Sequence, residues 1–125
     1  MAKILVVDDE KDTVSALKVR LESMGFEVIP AYDGIEALAQ ARSALPDAIL
    51  LDIMLPKLDG YKVCRMLKFD EKFKHIPIII MTAKAEESHR RLGADVGADA
   101  YFAKPLKTDE LVNKLKELLS LKKDV

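Results

Sequence analysis

Five polar residues stand directly after apolar runs. Asp8 and Asp9 follow Ile4-Leu5-Val6-Val7, Asp52 follows Ile49-Leu50-Leu51, Thr82 follows Ile78-Ile79-Ile80-Met81, and Lys104 follows Ala100-Tyr101-Phe102-Ala103. Brought together, three carboxylates would repel, and their ionised forms are favoured only with a cation among them. Lys104 offsets one charge. A hard divalent ion would offset more, and an oxygen-only set without histidine or cysteine favours Mg²⁺ over zinc. A carboxylate beside Mg²⁺ is suited to form an aspartyl phosphate. The charge of a transferring phosphoryl group spreads over its equatorial oxygens, where metal, ammonium and hydroxyl stabilise it.

The elements that must position these groups are short. None of the apolar runs alternates with polar residues, and neither does the weaker Glu27-Val28-Ile29, so both faces of the sheet should be covered, as in a parallel sheet flanked by helices. Val14, Leu17, Leu21 and Met24 share one helical face, and Gly25 follows as a stop. Asp33 with Glu36 reads as an N-cap and its capping-box partner, opening a helix that ends before Pro46. Asp59 can cap a helix carrying Val63, Met66 and Leu67, and Leu111, Val112, Leu115, Leu118 and Leu119 mark a last one. Strand and helix thus alternate through the chain, which predicts a doubly wound α/β fold. In such a sheet ligands bind at the carboxyl ends of the strands, where the winding reverses. The polar residues ending the runs would share one pocket there.

Composition sets the bounds. The 125 residues suit one domain, spanning 1–125, with a C-terminal stretch over 120–125 that should fray. Half the chain is hydrophobic and the formal net charge is -1, so no general nucleic-acid or membrane surface is indicated. The single cysteine excludes an internal disulfide and fits a reducing cytoplasm. The N-terminal apolar stretch is too short for a signal peptide or a membrane span.

The blocks Val6-Val7-Asp8-Asp9-Glu10, Leu51-Asp52-Ile53-Met54-Leu55-Pro56 with Asp59-Gly60, Met81-Thr82-Ala83 and Tyr101-Phe102-Ala103-Lys104-Pro105 resemble the signature blocks of response-regulator receiver domains of the chemotaxis-regulator type. Any one block is weak, but all four in order and at matching spacings are specific. The resemblance runs from about Lys3 to Leu119 and implies a single flavodoxin-like (βα)5 domain with strand order 2-1-3-4-5. It implies that Asp52 accepts a phosphoryl group from a sensor histidine kinase or a phosphotransfer protein. It implies Mg²⁺ on Asp9, Asp52 and the backbone carbonyl of Met54, with Asp8 acting through a bound water. Lys104 would pair with Asp52 and then with the phosphoryl group, Thr82 would move to hydrogen-bond it, and Tyr101 would turn inward into the space left. The Lys104-Pro105 bond is expected to be cis. The output face would comprise the fourth helix, fifth strand and fifth helix. The segment 85–96 reads as a weakly anchored helix, since Gly93 interrupts it and Leu92 and Val96 are its only large apolar residues.

Two positions bear on phosphate lifetime. Met54 and Lys84 stand two residues after Asp52 and Thr82, and neither is the Asn or Glu of family members with quick self-hydrolysis, so slow autodephosphorylation is expected.

Taken singly, these residues have plainer readings. Asp8 and Asp9 would cap a helix, Asp52 would form a turn, Thr82 would be an N-cap, Lys104 a solvated lysine and Tyr101 a half-buried aromatic. Glu10 reads as a first-turn acid, Cys64 as packing, and His75 and His89 as surface residues without chemistry. Rival functions are a Mg²⁺-dependent aspartyl-phosphate phosphohydrolase, a binding-only module, or the receiver portion of a longer regulator. The first needs an acid two residues after its nucleophile, where Met54 stands. We expect a non-enzymatic, stand-alone regulator that controls an unidentified output protein, as a monomer or a weak phosphorylation-dependent dimer.

Overall fold

Every apolar run becomes a strand; four extend by one or two residues beyond the run, and the last keeps its bounds. In the computed structural model, which describes residues 1–83 and 96–123 and side chains as far as Ser120, the strands are β1 (Lys3–Val7), β2 (Glu27–Ala31), β3 (Ala48–Asp52), β4 (Ile78–Thr82) and β5 (Ala100–Ala103). All neighbours pair in parallel, in the order β2-β1-β3-β4-β5. This is the flavodoxin-like order expected from the sequence. β3 and β4 are buried at every position, which is why their sequences do not alternate. β2 lies at the edge and therefore tolerates Pro30, which lacks an N–H for the ladder.

The described helices are α1 (Lys11–Ser23), α2 (Gly34–Ala44), α3 (Gly60–Lys68) and α4 (Thr108–Lys123). The last is the fifth in the order expected from the sequence; the helix expected over 85–96 falls mostly outside the described residues, as do Lys84 and His89. Leu5, Val7, Ile49, Leu51 and Ile78 form one core with α2 and α3, and Ile4, Val6, Leu50, Ile79 and Met81 form another with α1 and α4. The backbone of α4 stays helical to Lys123, into the stretch expected to fray.

The helix boundaries follow from local chemistry. Asp33 and Asp59 accept the backbone N–H groups of Glu36 and Lys62, each satisfying an otherwise unpaired first-turn donor. The capping box at α2 is offset by one residue, since the Glu36 carboxylate accepts from the N–H of Tyr32 rather than from that of Asp33. Gly25 ends α1 at φ 90, in the left-handed region. Two expected core residues are not in the core: Met24 is the C-cap of α1, and Met66 on α3 is 46% exposed while Cys64 takes a fully buried place.

Candidate functional site

The strand order sets where the polar residues meet. The chain winds from β1 to β2 on one side and to β3 on the other, so the crevice at the carboxyl ends of β1 and β3 lies where the winding reverses. Asp8 and Asp9 leave β1 there and Asp52 closes β3. Carboxylate oxygens of the three lie within 4.8 Å of one another. Asp8 and Asp52 are buried, whereas Asp9 is exposed, so the cluster has one side open to solvent.

Lys104 reaches this cluster from beyond β5. Its backbone N–H donates to the Thr82 carbonyl at 2.8 Å, and its peptide bond to Pro105 is cis. Its ammonium donates to Asp8 Oδ2 at 2.6 Å and to Asp52 Oδ2 at 3.0 Å, with Glu10 Oε1 3.7 Å away. The second oxygen of each buried carboxylate is held by backbone. The Glu10 N–H donates to Asp8 Oδ1 at 2.9 Å, and the Met54 N–H to Asp52 Oδ1 at 3.0 Å. Both side chains are thus fixed in orientation by two donors each.

Opposed effects set the protonation of this group. Burial pushes the Asp52 pKa above the usual carboxylate value; the Met54 N–H and Lys104 pull against it, while the Asp8 charge adds to the rise. Burial works to lower the Lys104 ammonium pKa, but the hydrogen bonds it donates to Asp8 and then Asp52 outweigh it, and the net shift is upward. Lys104 is therefore a fixed positive charge. Three carboxylates and one ammonium leave an excess of two negative charges. All the candidate ligand atoms in the cluster are oxygens, a donor set suited to a hard divalent cation.

Thr82 is fully buried at the end of β4. Tyr101 pairs with Ile80 in the β4–β5 register and is half-buried. Its hydroxyl hydrogen-bonds Tyr61 of α3; burial and this neighbour push the Tyr61 phenol up to about 12. Met54 sits 51% exposed in the loop between β3 and α3. Gly60 lets α3 begin against β3, because a Cβ there would lie 2.2 Å from the Asp52 carbonyl oxygen.

Known proteins share this fold and much of this sequence. The family described as "Response regulator receiver domain" matches residues 4–116. The chain belongs to the response regulator receiver family. This receiver domain is 47% identical over 117 residues to the alkaline phosphatase synthesis transcriptional regulatory protein PhoP of Bacillus subtilis (strain 168), covering 94% of this chain and 48% of that protein. It is 39% identical over 119 residues to the DNA-binding dual master transcriptional regulator RpaA of Synechocystis, covering 95% and 49%. Among solved structures, the CheY-like receiver domain protein of Methanospirillum hungatei JF-1 superposes with a TM-score of 0.93 at 29% identity, covering 99% of this chain and 98% of that one. The chain spans about half the length of the curated relatives it matches. Receiver domains are the signalling input modules of two-component systems.

Two neighbours of the site have no site role in the sequence reading, which takes Glu10 as a first-turn acid and does not name Tyr61. Glu10 adds a third carboxylate around Lys104, and Tyr61 contacts Tyr101. Glu10 lies next to the acidic pair and was readable as a candidate; Tyr61 carries no local signal, because its contact arises only when α3 packs beside β5. The family resemblance pairs Lys104 with Asp52; in the structure its ammonium lies nearer to Asp8, at 2.6 Å against 3.0 Å. Among the described residues, no helix is long and apolar enough to cross a membrane.

Proposed function

We propose that this receiver accepts a phosphoryl group on Asp52 from a phosphohistidine of a sensor histidine kinase or phosphotransfer protein, in a Mg²⁺-dependent reaction, and thereby controls an output protein. The observation that supports it most is the Asp52 carboxylate, buried yet held at both oxygens and sharing Lys104 with Asp8. A carboxylate so oriented is already positioned, and it presents Oδ2 to phosphorus once Lys104 turns away from it. The new O–P bond forms at Asp52 as the N–P bond of the donor breaks, its electron pair returning to the imidazole.

Asp9, Asp52 and the Met54 carbonyl would hold Mg²⁺, with Asp8 acting through water. When bound, the ion neutralises charge on the phosphoryl oxygens. Lys104 turns from Asp52 to the incoming group, Thr82 hydrogen-bonds an oxygen of it, and Tyr101 takes up the changed space. The output face is then the segment 85–96 together with β5 and α4, whose equilibrium the phosphate biases by binding one state better. Met54 offers no acid or water-orienting group, which disfavours the phosphohydrolase reading and favours an aspartyl phosphate lasting minutes or longer. The chain acts in the cytoplasm as a switch and turns over no separate substrate.

A second reading concerns scale. Relatives named as transcriptional regulators are about twice as long as this chain. In that case the same switch serves as the receiver portion of a longer regulator, and any DNA contact belongs to another part of it.

Beryllofluoride, a phosphoryl mimic, tests the reading. With Mg²⁺ it should shift the amide resonances of Asp52, Thr82 and Lys104 and those of residues 85–104. No shift should follow without Mg²⁺ or in Asp52→Ala. Unchanged resonances over 85–104 would show that the phosphoryl mimic does not switch this face.

A further inference from the structure

The loop from Ile53 to Asp59 carries Met54, and its far side rests on the start of α2. The Gly34 N–H donates to the Pro56 carbonyl at 3.3 Å. A Cβ on Gly34 would lie 1.9 Å from the Leu58 carbonyl oxygen and 2.7 Å from its carbonyl carbon and Cβ. Two of these three atoms are backbone, so a side chain at Gly34 cannot be accommodated by a rotamer change; the loop itself must move. Asp33 caps α2 and places a carboxylate oxygen 3.5 Å from the Lys57 ammonium at the loop tip. Lys57 adopts φ 68, an uncommon conformation for a lysine, which the loop keeps while seated here.

The same loop is tied at its other end to the acidic cluster. The Met54 N–H holds Asp52 Oδ1, and the Gly60 N–H donates to the Ile53 carbonyl at 3.0 Å. Only a few residues separate the two attachments. A displacement at Leu58 therefore has little chain over which to dissipate before it reaches Met54.

We infer that Gly34 is a positioning residue for the metal-binding loop: its missing side chain lets the loop seat on α2, and that seat sets the place of the Met54 carbonyl and, through the Met54 N–H, of Asp52. This rests on the proposed Mg²⁺ site. It adds a requirement at α2, an element that contributes no group to the acidic cluster. The Asp33–Lys57 pair is a minor part of the seat, since Lys57 is largely exposed.

Gly34→Ala tests it, with Gly25→Ala as the control. Gly25 has φ +90 and open space around the added Cβ, so an alanine there strains the backbone without touching the loop. Mg²⁺ affinity by calorimetry should fall about tenfold or more in Gly34→Ala, the range seen when supports of metal ligands are disturbed. It should stay within about twofold in Gly25→Ala, even at a matched loss of melting temperature. A second readout needs no metal: the amide resonances of Met54 and Leu55 should move in metal-free Gly34→Ala and stay in Gly25→Ala. If Gly34→Ala does not fold, Asp33→Ala decides, because it loosens the start of α2 without a clash; its Mg²⁺ affinity should drop about threefold. A folded Gly34→Ala with wild-type affinity and unmoved Met54 resonances overturns the inference, as does an unchanged Asp33→Ala. Wild-type protein that fails to bind Mg²⁺ would instead overturn the proposed metal site, leaving the metal-free resonances to judge the seat.

Discussion

At the residue scale, Asp52 is held in a place that disfavours its own charge. Burial and the Asp8 carboxylate raise its pKa above the ordinary 3.8, and Lys104 and the Met54 N–H recover only part of the loss. A carboxyl that binds its proton more tightly in the folded chain loses stability as pH rises from 3.8 through the folded value. Asp52→Asn removes that loss. In metal-free solution at pH 7 it should stabilise the protein, read as a higher urea midpoint, and the gain should vanish below about pH 3.8. A destabilised Asp52→Asn at pH 7 would mean that Lys104 compensates Asp52 fully. Much of this site could be read in the sequence, because each of its groups ends or follows an apolar strand and strand ends converge in a parallel sheet. The Lys104 contact to Asp8 could not, since the choice between two adjacent carboxylates depends on side-chain rotamers set by the Glu10 and Met54 amides.

At the scale of elements, the sheet was legible and the helix faces only partly so. The β3 and β4 runs report burial on both faces and are buried throughout, whereas the apolar run of β5, at the sheet edge, is only half-buried. A helix offers less. On α3 the apolar residues Val63, Cys64, Met66 and Leu67 are spread around more of the circumference than the sheet can cover. At 100° per residue Met66 falls about 60° outside the arc spanned by Val63, Leu67 and Cys64, and it is the one left exposed. The core face of α3 predicts its own energetics. Leu67 is 1% exposed and packs in the core shared with β3 and β4. Leu67→Ala should cost about 3 kcal/mol in denaturant unfolding, whereas Met66→Ala should stay within about 0.5 kcal/mol. Equal costs would place Met66 in the core after all. α2 shows what patterning does not report: Gly34 reads as an ordinary first helical residue, yet the loop carrying Met54 lies against its bare Cα.

For the whole molecule, the topology turns four distant stretches of chain into one site. The order β2-β1-β3-β4-β5 puts β1 and β3 side by side, so that Asp8, Asp9 and Asp52 can share a cation, and it leaves β4 and β5 to bring Thr82 and Lys104 alongside. The same rim therefore combines a nucleophile, a candidate metal cluster and, through β5, part of the proposed output face. The most direct test of this account is incubation with acetyl phosphate and Mg²⁺, followed by intact mass and site mapping over time. One phosphate-sized gain should appear on Asp52, require Mg²⁺, and decay over minutes or longer. A gain that persists in Asp52→Ala would place the phosphoryl group on a residue other than Asp52.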